Sequence, residues 1–169
     1  YDMAKVARAW QNRTHRQFVA WSVAALKANS RSPGGTAASL DAYHLFCKIN
    51  CSLAAAGLPL VMDPPKPEKF RPNPVEELVI RNRGGVVTLR LRVSEAPARH
   101  TFVLGSPPCS RGRSVRSNYS ILGLLPAPER GWSDITELYV ERFGVVPAGT
   151  RVFIRTRQLI NGWEDDFKD

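Results

Sequence analysis

The stretch PAGTRVFIRTRQLINGW, residues 147–163, carries the clearest structural signal in this chain. It opens with a Pro-x-Gly turn, then sets apolar residues against basic ones, and closes on Asn161-Gly162, a strong hairpin signal. A period of two belongs to a half-buried strand. Val152 and Ile154 are therefore expected to point inward, and Arg151, Arg155 and Arg157 outward with Phe153 between them. The strand reads as structural first, with an outer face that can still bind something.

Upstream, the same pattern repeats. ELVIRNR, residues 77–83, and VVTLRLRV, residues 86–93, flank Gly84-Gly85 and read as a strand pair. Val87, Leu89, Leu91 and Val93 fall on one face of the second strand, Arg90 and Arg92 on the other. RHTFVLGS, stopped by Pro107-Pro108, is a third strand and NYSILGLL a fourth. In DITELYVERF, residues 134–143, Ser133-Asp134 looks like a cap, and Ile135, Leu138, Tyr139 and Phe143 follow at helical spacing. This reads as a short helix or turn-rich crossover where a sandwich strand might otherwise sit.

The N-terminal part has a different period. Thr14-His-Arg-Gln17 has the form of a capping box, and Phe18, Trp21, Ala25 with Val19, Val23 and Leu26 make a wide helical stripe. Ser32-Pro33-Gly34-Gly35 should end that helix, and a second should start at Ser39 with Leu40, Tyr43, Phe46, Cys47, Leu53 and Ala54 on its apolar face. Gly57 followed by Pro59 is the expected stop. Residues 1–62 thus read as a helical hairpin, too small to bury much alone. Residues 63–74, DPPKPEKFRPNP, hold five prolines and read as a semi-rigid proline-rich linker. The fold class expected is α+β: hairpin, linker, then an antiparallel β-domain over residues 75–169.

Pro147-Ala-Gly149-Thr150 leading into the strand to Asn161 is similar to the penultimate strand of fibronectin type III domains, and NYSILGLLP to that family's approach to the turn. The resemblance covers residues 74–167 and implies a β-sandwich of the fibronectin III/immunoglobulin kind. Two features depart from the family. Val152 holds its corner Tyr position, so that hydroxyl-to-backbone bond is not expected, and VVTLRLRV lacks the core Trp. Arg8-x-Trp10-Gln-Asn12, the hairpin, Ala-Ala-Gly-Leu-Pro, the linker and the β-domain together also resemble a group of uncharacterised bacterial proteins, which implies no activity.

An apolar fraction of 43% with 23% charged residues is globular in composition, and no run approaches the roughly 18 apolar residues that span a bilayer. The N-terminus lacks the apolar centre of a signal peptide. Three cysteines, Cys47, Cys51 and Cys109, do not make a disulfide framework. The net charge is +9, of which +5 lies in residues 1–62, where seven Lys/Arg face two acids. Such a field favours anionic partners.

Catalytic signatures fail one by one. Cys109-Ser-Arg-Gly-Arg-Ser-Val-Arg116 has the ingredients of a phosphatase Cys-loop-Arg cradle, but Val115 holds the place of the required Arg. There is no glycine-rich phosphate loop, His-Glu-x-x-His or nucleophile elbow. His44, Cys47 and Cys51 share one helical side, yet small buried thiols account for the cysteines without a metal. Glu164, Asp165 and Asp166 read as solvated acids rather than a calcium site. Asn50-Cys-Ser52 matches a glycosylation sequon but lies on a predicted helix. No cofactor, catalytic residue or small-molecule substrate is expected.

Two functional classes remain. In the first, the hairpin docks to a protein partner or self-assembles, with Trp10 and Trp21 as anchors, and the β-domain presents a surface. In the second, Arg8, Arg13, Arg16, Lys27, Arg31 and Lys48 of the hairpin hold nucleic-acid phosphates, joined by the loop residues Arg111, Arg113 and Arg116.

Overall fold

The structure is a computed structural model that describes residues 3–30, 41–95, 100–112 and 118–169. Helices come first and antiparallel sheets follow, so the fold is α+β. The chain divides into two compact units, Tyr1–Lys69 with Asn161–Trp163, and Phe70–Ile160 with Glu164–Asp169. Ser32–Gly35, Ser39, Arg31, Arg113 and Arg116 lie outside the described residues.

Among its described residues the first unit holds three helices, α1 (Met3–Gln11), α2 (His15–Ser30) and α3 (Ala42–Ala55). A two-helix hairpin leaves α1 out. Of the α1 residues Val6 alone is fully buried, with Ala9 and Trp10 partly buried against the core of this unit. The capping box forms as expected: Thr14 N–H donates to Gln17 Oε1 (2.8 Å) and Gln17 N–H to Thr14 Oγ1 (3.2 Å). Asp41 caps α3 by accepting from His44 N–H (2.8 Å), which holds its carboxyl below the usual range. Gly57, with φ +70, ends α3 where expected.

The core of this unit comprises Val6, Trp21, Ala25, Ala42, Leu45, Phe46, Ile49 and Leu53. Two polar side chains tie the following segment to it. Trp21 Nε1–H donates to the Met62 carbonyl (2.7 Å). Asn50, fully buried, donates to the Val61 carbonyl (3.1 Å) and accepts from the Val61 N–H (2.8 Å). The Asn50 sequon is therefore enclosed, and its asparagine is a backbone clamp. Trp163 also packs on this core, and its Nε1–H donates to the Pro65 carbonyl (3.1 Å). Pro65 is thus tied by its carbonyl to a side chain of this core.

The second unit is built from β1 (Val75–Arg83), β2 (Val86–Val93), β3 (His100–Gly105), β4 (Ser120–Leu124), β5 (Trp132–Asp134), α4 (Thr136–Phe143) and β6 (Ile154–Ile160), and the division falls within the two-residue β7 (Trp163–Glu164), whose Glu164 belongs here. One sheet runs β1-β2-β5 and the other β4-β3-β6-β7. Gly84 and Gly85 take φ +59 and +89, the pair of positive values that a two-residue turn matched to strand twist requires. Leu89, Leu91 and Val93 are buried and Arg90 and Arg92 exposed, as alternation dictates. Both sheets feed one core, in which Val75, Leu89 and Leu91 meet Val103 and Ile154, together with Ile135, Tyr139 and Val146.

Three local expectations change. Ser133-Asp134, expected as the helix cap, instead ends strand β5, and Ile135 is the N-cap of α4. Asp134 Oδ1 accepts from Thr136 N–H (3.0 Å) and O–H (2.6 Å), while Ile135 N–H donates to the Leu89 carbonyl (3.0 Å). Strand β6 starts only at Ile154. Before it, Arg151 makes an isolated bridge with Cys109. Finally, a hydroxyl-to-backbone bond is present although Val152 cannot make one. Tyr139, fully enclosed, donates to the Ser106 carbonyl (2.9 Å), and burial pushes its pKa up to about 12.

Candidate interaction surface

The arginine row of residues 151–157 is largely spent within its own unit. Arg155 bonds both Asp169 carboxylate oxygens and stacks 4.2 Å from the Tyr119 ring centroid. Arg157 bonds Glu164 and lies 3.5 Å from the centroid of Phe167. Elsewhere, Arg90 pairs with Asp134 (3.2 Å) and Arg92 with Glu76 (3.3 Å) and Glu77 (3.5 Å). These exposed pairs contribute little stability, but they occupy the outward cations with internal carboxylates.

The helical unit is arranged differently. Helix α2 buries Trp21 and Ala25, while Val19, Val23 and Leu26 stand 46%, 45% and 70% exposed. The wide stripe read from sequence is therefore split: one side enters the core and the other faces outward. Arg16 and Lys27 are eleven residues apart, about three turns plus 20°, so both lie on that outward face at its two ends. Beside it runs a groove of about 190 Å³, walled by Ala20, Val23, Ala24, Ala28 and Lys27 of α2, by Pro64–Pro67, and by Trp163.

The two tryptophans proposed as anchors separate. Trp21 has no exposed surface and its N–H is satisfied, so it holds the core and cannot face a partner. Trp10 is half-buried in an aromatic cluster with Phe46 (5.0 Å), Tyr43 (5.6 Å) and Phe18 (6.2 Å). Arg13 is drawn into that cluster, with its guanidinium 4.0 Å from the Trp10 centroid and a hydrogen bond to the Trp10 carbonyl (2.7 Å). Its guanidinium is thus packed against the rings and partly covered. Arg8, Arg16, Lys27 and Lys48 are exposed, as is Arg111 of the β unit. Helices α1, α2 and α3 contain no acidic residue.

His44, Cys47 and Cys51 do not converge. His44 Nδ1 lies 3.0 Å from Asp41, and Cys51 Sγ lies 3.1 Å from Met3 Sδ. Burial raises the Cys47 thiol pKa, which disfavours the thiolate a metal needs, although a hydrogen bond with Tyr43 works against it. Among the described residues no three His, Cys, Asp or Glu side chains gather as metal ligands, no helix is long and apolar enough to cross a membrane, and no disulfide joins the three cysteines. The sequence places Val19, Val23 and Leu26 on one helical side and reads the prolines of residues 63–74 as a linker, without showing that Pro64–Pro67 wall a groove beside α2. Proline-rich segments give no sign of which helix they pack against. Comparison with protein-family models, with curated proteins and with solved structures finds no match to this chain, whether for the fibronectin III likeness or for the bacterial layout.

Proposed function

We propose that this protein is a non-enzymatic interaction protein, in which the helical unit docks to a partner or assembles and the β unit presents a surface. One observation carries the reading: Val19, Val23 and Leu26 form an exposed apolar stripe on a helix whose other side is committed to the core. Leaving such side chains in water forgoes about 1.5–3 kcal/mol each relative to full burial, a gain that an interface recovers. The β unit is read as a divergent fibronectin type III-like sandwich. That reading is supported by the strand orders β1-β2-β5 and β4-β3-β6-β7 and by a core drawn from both sheets.

Sizing chromatography with native mass spectrometry over a concentration series, beside a pull-down, tests the proposal. Concentration-dependent assembly or a partner lost on Val23→Lys supports it. A strictly monomeric chain with no partner ends it.

The acid-free helices favour a second reading, nucleic-acid binding through the exposed Arg8, Arg16, Lys27 and Lys48. Retention in a gel shift that weakens steeply with salt supports it, as counterion release requires. No retention at low salt removes it.

A further inference from the structure

The groove beside α2 has a chemistry that selects its occupant. From it we infer that the helical unit receives an amphipathic helix with an apolar stripe and acidic flanks, supplied by a partner protein. The inference rests on the interaction role proposed above and names the partner's chemistry.

Three features of the groove point to this occupant. The first concerns the backbone. One wall is helix α2, whose peptide groups are satisfied internally, and the other is Pro64–Pro67, where Pro64, Pro65 and Pro67 have no N–H to donate. The Pro65 carbonyl already accepts from Trp163. An extended peptide added to this groove would meet Lys66 as the one residue of that wall with a backbone N–H, and only scattered acceptors. A helix brings its own hydrogen bonds and needs none.

The second concerns shape. Ala20, Ala24 and Ala28 of the α2 wall are small, so an incoming helix can approach closely. Val23 and Trp163 offer larger apolar surfaces to its anchors. The exposed Val19 and Leu26 widen the apolar surface around α2 on the side of Val23 away from the groove. This is a concave site with a length of about two turns, a form suited to anchors spaced i, i+3/4 and i+7.

The third concerns charge. The cations Lys27 and Lys66 line the groove, Arg16 stands at the far end of the same α2 face, and no acid is among the lining residues. Apolar anchors flanked by carboxylates match that pattern, and basic flanks oppose it. A phosphate backbone matches the charge but not the apolar walls. An anionic bilayer matches both but presents no ridge to fill a groove.

Selection from a displayed library of random peptides of about 15 residues, some four helical turns, against the immobilised full chain tests this directly. The expected result is a set of enriched peptides with net negative charge and apolar residues at helical spacing. Their binding should fall about tenfold on Val23→Lys, the loss of one buried anchor. It should also weaken and lose salt sensitivity on the double change Lys27→Gln and Lys66→Gln, with melting temperature unchanged in both variants. No enrichment, enrichment of basic or neutral peptides, or binding indifferent to Val23→Lys overturns the inference. Val23-dependent binding to phosphatidylserine vesicles in place of peptides also overturns it. Self-association through the same stripe, with no acidic peptide selected, sinks this inference while leaving the interaction role standing.

Discussion

Helix α2 and strand β6 are both amphipathic, and the fold covers opposite sides of them. In β6 the cationic side is covered: Arg155 and Arg157 meet Asp169 and Glu164, and the Phe167 ring lies against both. Beneath them, Phe102, the cross-strand partner of Arg157, is only 2% exposed. In α2 the apolar side is left open at Val19, Val23 and Leu26, with Arg16 and Lys27 beside them. The contrast has a geometric cause. Strand β6 lies between β3 and β7, so both its edges are paired, and the C-terminal residues fold back over its outer face. A helix is a cylinder, and α2 needs only the Trp21–Ala25 side to join its core. Basic residues beside apolar ones therefore mean different things in the two places. In β6 they complete an internal network, and in α2 they rim a surface.

Substitutions within each element sharpen that contrast. The largest effect is expected at the buried side of α2. Trp21→Ala removes the largest fully enclosed side chain and the Met62 bond, and should cost about 3–5 kcal/mol in denaturant unfolding. A loss below 1 kcal/mol would mean that α2 is not held by this side.

Gly162→Ala comes next. A Cβ there would stand 2.4 Å from Ile49 Cγ2, and φ is +88, so clash and backbone strain add to about 3 kcal/mol. An unchanged melting curve would show that the Asn161–Trp163 turn does not pack on the helical core.

In the β unit, Tyr139 links packing to pH. Its folded pKa of about 12 exceeds the ordinary value of 10, so above pH 10 the unfolded chain loses a proton that the folded chain keeps. Stability is full below pH 10 and should fall by about 2–3 kcal/mol as pH rises to 12. Tyr139→Phe should remove this alkaline loss while costing about 1–2 kcal/mol at neutral pH, where the Ser106 carbonyl is left without its donor. Equal alkaline slopes in the two proteins would refute the assignment.

Arg157→Ala should cost about 1–2 kcal/mol, because the pair with Glu164 is only 24% and 18% exposed and the ring contact is lost with it. The same measurement in high salt should change this loss little, since a covered pair is poorly screened.

The smallest effect is expected at Val23→Lys, within about 0.5 kcal/mol, because the side chain already stands in solvent. The pair Trp21→Ala and Val23→Lys, two residues apart, thus separates folding from surface. A large loss at Val23 would place the stripe in the core and remove the case for docking.

Local chemistry was enough to determine much of this protein. The Thr14–Gln17 capping box, the Gly57 stop, the Gly84-Gly85 turn and the alternation of Val86–Val93 each act within a few residues, so sequence spacing carries them whole. The strand that ends at Asn161-Gly162 and the helix of DITELYVERF were legible for the same reason. What only tertiary structure decided lies between residues distant along the chain. Spacing placed Val19, Val23 and Leu26 on one helical side, but whether that side meets core or water depends on what packs there. Asn50 reaching Val61, Tyr139 reaching Ser106, and Trp163 reaching Pro65 across 98 residues leave no periodic trace. The arginines of β6 read as a possible surface because their carboxylates and rings come from Tyr119 and residues 164–169. Charge pattern records which groups a chain has, and only packing assigns them partners.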